Sequence, residues 1–185
     1  PENLSSADYA ASRFQQVYDR YLSGSSRVYL SVIPDKGYFL EGIPKMDHGA
    51  FVSRLREKTP FAAYIDLFPT LTLDSYYRTD THWRQEAILP AAQALAKAMG
   101  KEIGSGFTAV DTGICFKGVY AGQSALPVSG ESMYYVTSPT LSAATVWDGE
   151  QGKAIGVYDF DRLTGRDPYE FYLSGSLSLV TLRNE

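Results

Sequence analysis

Apolar residues near the N-terminus recur at helical spacing. Ala10, Phe14, Val17, Tyr18 and Tyr21 form one stripe, which predicts a helix capped by Ser5 or Ser6 and running to about Leu22. Ser23-Gly24-Ser25-Ser26 ends it. Val28-Tyr29-Leu30-Ser31-Val32-Ile33 is then a nearly continuous apolar run, the pattern of a strand buried on both faces of a parallel sheet. The loop Pro34-Asp35-Lys36-Gly37 follows at its C-terminal end, where open α/β sheets usually bind ligands. Asp47 reads as a helix N-cap, with His48 a solvated first-turn residue and a helix from about Gly49 to Lys58 that turns Phe51, Val52 and Leu55 inward. Phe61–Leu67 reads as a second strand. A further helix is expected from about Arg84 to Met99, with Ile88, Ala91, Ala92, Leu95, Ala98 and Met99 inward and Gly100 as C-cap. Pro90 inside that stretch predicts a kink or a restart, because proline cannot donate to the preceding turn.

After Gly104 the helical period stops and short alternating segments begin. Phe107–Val110, Ile114–Tyr120, Ser132–Thr137, Ala144–Trp147, Ala154–Val157 and Leu177–Leu182 read as strands separated by Gly, Ser and Asp turns. The pattern divides the chain into an α/β portion, residues 1–104, and a β-rich extension, residues 105–185. The alternation of helix and strand in the first portion implies crossover helices joining parallel strands.

The 185 residues fit one domain, with room for a small subdomain, and a hydrophobic content of 44% supplies a sizeable core. The 14 tyrosines suit exposed β-surfaces and sugar-binding faces, and equally ordinary sheets. A net charge of -4 and the lack of a basic run argue against nucleic acid as a partner. No stretch of about 18 apolar residues is present to span a membrane as a helix. The single cysteine, Cys115, makes no internal disulfide, and no Cys/His spacing calls for a metal; no cofactor is expected. The chain opens on Pro1 rather than Met, so it reads as a processed product or an excerpt of something longer, from which any signal peptide or anchor is gone.

Chemistry concentrates in Tyr76-Tyr77-Arg78-Thr79-Asp80-Thr81-His82-Trp83. In an extended or turn-like segment, residues two apart lie on one face, so the Asp80 carboxylate can meet the His82 ring. A carboxylate on one imidazole nitrogen fixes the tautomer and leaves the other free to take a proton. That is two thirds of an acyl-transfer triad. A helix N-terminus just after His82 would disfavour the imidazolium while Asp80 favours it, an opposition suited to proton exchange near neutrality. The missing third member is a nucleophile. Ser105, Ser124, Ser132, Ser174 and Ser176 all lie near glycine, and none stands on the sharp strand-to-helix turn that a nucleophilic serine needs. Cys115, between Ile114 and Phe116 in a strand pattern, reads as a buried, inert thiol.

The segment Tyr77-Arg78-Thr79-Asp80-Thr81-His82-Trp83 resembles the signature of the DHHW proteins of Gram-positive bacteria. It also resembles the Asp-x-His-Trp segment of the alginate O-acetylation proteins, SGNH-hydrolase-like acetyltransferases of the cell envelope. Val32-Ile33-Pro34-Asp35-Lys36, Gly118-Val119-Tyr120 and Asp167-Pro168-Tyr169-Glu170-Phe171-Tyr172 resemble further landmarks in the same order. Thr81 stands where the DHHW name has His, closer to the alginate proteins. The resemblance implies a three-layer SGNH-like fold with a central, mostly parallel sheet. It implies Asp80 and His82 as catalytic residues, and an extracytoplasmic O-acetyltransferase or esterase acting on envelope polysaccharide. Tyr77 and Trp83 are candidates to stack on a sugar, with packing in the core as the alternative for either, and Arg78 is a candidate to hold an anionic sugar, with a solvated surface charge as its alternative. In that family the serine follows Asp and His, in an Asp-Ser motif on a strand after the β-rich region. The chain ends at Leu182-Arg183-Asn184-Glu185, where that strand is expected to begin, which implies that nucleophile and C-terminal strands lie outside it. A membrane-bound acetyl-donor partner fits the same picture, with the protein at the cell surface, secreted, or anchored through a missing N-terminus. The alternative is a non-catalytic carbohydrate-binding or surface scaffold protein with the same fold.

Overall fold

The computed structural model describes residues 4–125 and 127–184. Two compact units form, Pro1–Leu73 with Pro90–Lys101, and Asp74–Leu89 with Glu102–Glu185. The division differs from a boundary at residue 104: the segment carrying Asp80 and His82 belongs with the β-rich half.

In the first unit, helix α1 (Ser5–Val17) continues as a wider π-helical turn, Tyr18–Leu22, so the element ends where the sequence predicts. Its inward face does not match the expected stripe. Ala7 and Ala11 are buried, whereas Phe14, Val17 and Tyr21 are 42%, 49% and 64% exposed. Two stripes share this helix, and the small alanines win the contact because they admit a neighbouring helix closely. That neighbour is α2 (His48–Lys58), which packs on α1 and is tied to it by Arg54, whose Nε and Nη2 bond Asp8 at 2.8 and 3.3 Å. Asp47 caps α2 as expected, its Oδ1 accepting from Ala50 N at 2.9 Å, and Leu55 is buried.

His48 departs from its expected place in solvent. Its side chain is only 10% exposed and packs edge-on against Tyr38 and Phe68, with ring centroids 4.9 and 5.9 Å away.

Strands β1 (Val28–Leu30) and β2 (Ala62–Tyr64) pair in parallel, with α2 as the crossover between them. Among the described residues this sheet has two strands, so each is an edge and β1 is half-buried rather than covered on both faces. Helix α3 (Leu89–Ala98) restarts the chain at Pro90, after a 3-10 turn at Gln85–Ala87. Gly100, at φ +68°, ends α3, and the bonds Lys101 N to Ala96 O and Gly100 N to Lys97 O (2.8 and 3.0 Å) close the paired C-terminal cap that a left-handed residue permits.

In the second unit, β3 (Thr108–Phe116) leads into the short helix α4 (Val119–Ser124), and β4 (Glu131–Thr137) returns antiparallel to β3. The two strands expected on either side of Thr112 are one. Gly113 adopts φ +76° and its N–H bonds Asp111 Oδ1 at 2.8 Å, an irregularity that the pairing absorbs between Asp111 and Cys115. Cys115 is exposed beside it, not buried. After α5 (Pro139–Ala143), β5 (Thr145–Asp148) is flanked by β6 (Lys153–Ile155) and β7 (Val180–Arg183) in a three-stranded antiparallel sheet.

The core of this unit is aromatic. Tyr77, Phe116, Met133 and Phe171 are fully buried, with Tyr135, Tyr158, Tyr169 and Tyr172 packed around them. Tyrosine serves here because its hydroxyl can find a backbone acceptor: Tyr158 donates to Val136 O and Tyr172 to Tyr134 O, each at 2.5 Å. Gln85 adds a polar tie, its Oε1 accepting from Val136 N at 2.7 Å and lying 3.0 Å from the Tyr158 hydroxyl oxygen. These bonds fix the 74–89 segment on β4.

Candidate functional site around Asp80 and His82

Tyr76 and Trp83 pair as an isolated antiparallel bridge, and Tyr77 N bonds His82 O at 3.1 Å. The six residues Tyr77–His82 therefore close a hairpin-like loop. Asp80 turns that loop with its side chain, since Oδ1 accepts from His82 N at 2.9 Å. The same oxygen meets His82 Nδ1 in a short hydrogen bond. The turn-like arrangement expected of Asp80-Thr81-His82 is the one observed.

Asp80 is nearly closed to solvent, with a side chain 3% exposed, while that of His82 is 48% exposed. The second carboxylate oxygen accepts from Val119 N, at the start of α4, at 2.9 Å. Burial by itself raises the Asp80 pKa, but the N–H groups of Val119 and His82 and the His82 ring outweigh it and hold the carboxyl below its usual range. With Nδ1 engaged by Asp80, Nε2 makes no hydrogen bond among the described residues. The expected helix dipole is not part of the setting. A 3-10 turn follows at Gln85–Ala87 and α3 begins only at Leu89, too far along the chain for its first turn to act on His82.

The ring has a third support. Tyr169 stacks on His82 with centroids 3.9 Å apart and planes 18° apart. Tyr169 is itself placed by Asp167, which caps a 3-10 turn by accepting from Tyr169 N at 3.0 Å.

The loop below is anchored by β4. Glu131 Oε1 accepts from Thr79 N at 2.8 Å and from Thr79 Oγ1 at 2.7 Å, and Oε2 accepts from Arg78 N at 2.9 Å and faces Arg84 Nη1 at 3.5 Å. Thr79 passes this order on, since its Oγ1 accepts from Gly118 N at 3.1 Å and its carbonyl from Tyr120 N at 3.0 Å. Burial alone raises the Glu131 pKa, yet the donors of Arg78 and Thr79, with Arg84 behind them, keep the carboxyl low. Glu131→Gln retains one acceptor oxygen and turns an amide toward N–H donors. It is expected to lower unfolding free energy by about 1–2 kcal/mol, read by urea denaturation.

The other candidates separate. Tyr77 is fully buried, its hydroxyl 3.3 Å from that of Tyr172, and it offers no face to a sugar; the expectation that it stacks on substrate is corrected to a core role. Burial raises its phenol to about 12. Trp83 is half-buried, edge-on to Tyr76 at 6.4 Å. Arg78 is exposed and donates from Nη2 to Ser129 O at 2.9 Å. Among the described residues, none of Ser105, Ser124, Ser132, Ser174 and Ser176 hydrogen-bonds to His82. Ser124 Oγ donates to Ala121 O, and Ser174 Oγ to Asp159 Oδ2. Among the described residues no group of three or more His, Cys, Asp or Glu is arranged to hold a metal ion, and no helix is long and apolar enough to cross a membrane.

In the sequence, Gly118-Val119-Tyr120 and Asp167–Tyr172 stand as landmarks of the family resemblance with no task of their own. The structure supplies one: the first holds Asp80, the second carries the ring that backs His82. A signal lay in Gly118 itself, since a Cβ there would stand 2.2 Å from the Asp80 Cβ and Oδ2.

No protein-family model matches the chain, and no curated protein matches it in sequence. Solved structures do. A DHHW family protein from Eubacterium siraeum superposes with a TM-score of 0.71 at 18% identity, over 96% of this chain and 64% of that one. PatB1 of Bacillus cereus superposes with a TM-score of 0.70 at 16% identity, over 100% of this chain and 71% of that one, and its form with a sulfonyl adduct scores 0.69. The chain thus spans just under two thirds of the length of the first of these proteins. At such identities the likeness establishes a shared mixed helix-and-strand fold.

Proposed function

We propose that the chain is the His–Asp-bearing part of an SGNH-like O-acetyltransferase or esterase that acts outside the cytoplasm on cell-envelope polysaccharide. The observation that carries the reading is the Asp80–His82 pair: a buried carboxylate holds Nδ1, the ring is backed by Tyr169, and half the imidazole faces outward. His82 Nε2 takes the proton of a serine hydroxyl as general base, and Asp80 fixes the tautomer and stabilises the imidazolium. The serine oxygen attacks the acyl carbonyl, the leaving alkoxide takes the proton back from His82, and a sugar hydroxyl or water then displaces the acyl group by the same route. The two-stranded parallel pair is, on this reading, part of an SGNH-like central sheet. Trp83 and Arg78 remain candidates for contact with sugar.

The serine is assigned to residues outside these 185. Two facts support this: among the described residues no serine bonds His82, and the matched structures are longer than the chain. PatB1 bearing a sulfonyl adduct also fits, since such an adduct forms when a nucleophile attacks a sulfonyl reagent. Fluorophosphonate labelling with intact-mass and peptide mapping of the natural polypeptide tests the reading. The expected result is one serine adduct outside residues 1–185, lost in His82→Ala. An adduct on a serine within the chain would relocate the nucleophile, and labelling indifferent to His82 would overturn the mechanism. That no hydroxyl among the described residues bonds His82 also favours a second reading, a non-catalytic carbohydrate-binding protein, in which sugar binding persists in His82→Ala and no serine labels.

A further inference from the structure

A cleft of about 650 Å³ opens in the β-rich unit between the start of α4 and the Arg166–Glu170 segment. Its walls are the elements that build the site. Gly118 and Val119 line it, and Val119 N holds Asp80. Asp167 and Glu170 line it, on either side of the Tyr169 that backs His82. His82 does not itself line the cleft, so this is a neighbouring subsite.

Its lining carries both signs of charge, but the two signs are not equally engaged. Two cations, Lys117 and Arg166, and two carboxylates, Asp167 and Glu170, line the walls. Both carboxylates are engaged by the protein. Asp167 caps the turn that sets Tyr169, at 3.0 Å, and Glu170 pairs with Arg162 Nη1 at 2.5 Å. Among the described residues, neither Lys117 nor Arg166 has a carboxylate within ion-pair distance. Both are exposed. The cleft therefore presents two cations without an ion pair beside small glycine, alanine and valine residues, while its two carboxylates are held by the Tyr169 N–H and by Arg162. Cations without an ion pair of their own are available to an anion from solution, and a guanidinium with an ammonium suits a carboxylate or phosphate oxygen cluster.

We propose that this cleft is an anion subsite: Lys117 and Arg166 seat a carboxylate or phosphate carried by the sugar substrate, next to the pair that performs the chemistry. The identification of the ligand as a substrate sugar rests on the acyl-transfer reading; the anion preference rests on the cleft alone. Lys117 and Arg166 are then specificity residues, and neither is asked to move a proton.

The test is equilibrium binding, which needs no nucleophile. Amide shifts of Gly118, Val119 and Gly122 are followed by NMR while D-glucuronate, glucose 1-phosphate or D-glucose is added. Saturable shifts are expected with at least one anionic sugar, at least tenfold weaker with glucose, and weakening as salt rises. The glucuronate and phosphate arms distinguish the two anions. Lys117→Gln with Arg166→Gln, two exposed changes that leave the remaining spectrum intact, should weaken anionic-sugar binding at least tenfold. Equal response to glucose, unchanged binding in the double variant, or no saturable shift with any probe would overturn the subsite. His82→Ala separates the two ideas: it abolishes serine labelling if the acyl-transfer reading is right and leaves the anion shifts in place if the subsite is right.

Discussion

Asp80→Asn is expected, on the acyl-transfer function proposed above, to lower turnover by about 10³–10⁴-fold, the scale on which a wrong tautomer disables a serine–histidine site. The reason is specific to this carboxylate. Oδ1 accepts from the His82 backbone and ring, and Oδ2 from Val119 N. An asparagine has one acceptor oxygen. If it serves Val119, its NH₂ faces the His82 backbone N–H and forces the ring to present an acceptor at Nδ1, which places the proton on Nε2, where the base must be free. If it serves His82, the NH₂ meets Val119 N. In either orientation a buried donor loses its partner, at a cost of about 1–3 kcal/mol. The comparison to make is steady-state turnover beside a urea melt on the same preparation. A variant with full activity would show that Asp80 is only a turn-former.

The same residue sets an acid limit. The folded state holds the Asp80 carboxyl below its ordinary pKa, so ionised Asp80 stabilises the fold above the unfolded value near 3.9, and that contribution fades as pH falls through the folded value. Glu131 is lowered too and adds in the same direction. Wild type should therefore lose more stability between neutrality and strong acid than Asp80→Asn, whose amide does not titrate.

How much of this was legible follows from sequence distance. Asp80 and His82 lie two apart, and a turn brings them together whatever else the chain does, so their meeting could be expected from the residues alone. Caps are equally local: Asp47 with Ala50, and Gly100 after Ala98, are where the pattern places them. Pro90 restarts a helix for a reason contained in proline itself. The supports of the site are another matter. Glu131 reaches Thr79 across 52 positions and Val119 reaches Asp80 across 39, and no local rule pairs a strand glutamate with a loop threonine. The α1 face failed differently. Ala7/Ala11 and Phe14/Val17/Tyr21 both satisfy helical spacing, and the choice depends on how closely α2 approaches. Asp111-Thr112-Gly113 reads as a turn and is a bulge, because only its partner strand shows that the ladder resumes at Cys115.

Gly118→Ala is expected to be the most damaging single methyl group in the β-rich unit. The backbone there, φ -83°, suits alanine, so conformation is not the obstacle. Space is. The added Cβ would lie 2.2 Å from Asp80 Cβ and Oδ2 and 2.6 Å from Cγ. Asp80 has no route to retreat, since Val119 N, His82 N and the His82 ring hold it on both oxygens, and Gly118 N is itself bonded to Thr79 Oγ1. Either the α4 start shifts and both bonds across to the 79–80 segment stretch, or Asp80 leaves the His82 ring. Overpacking commonly costs about 1–3 kcal/mol, and loss of a buried carboxylate's donors adds a similar amount, so a fall of about 3–5 kcal/mol in unfolding free energy is expected, with loss of turnover. Gly122→Ala, in the same helix with nothing within 4 Å of its added Cβ, is the control, and should be neutral or gain up to about 1 kcal/mol from helix propensity. Combining Gly118→Ala with Asp80→Gly removes the obstructing side chain, so Gly118→Ala should cost much less in that background than it does alone. Additive costs would mean that the clash with Asp80 is not what makes Gly118 necessary.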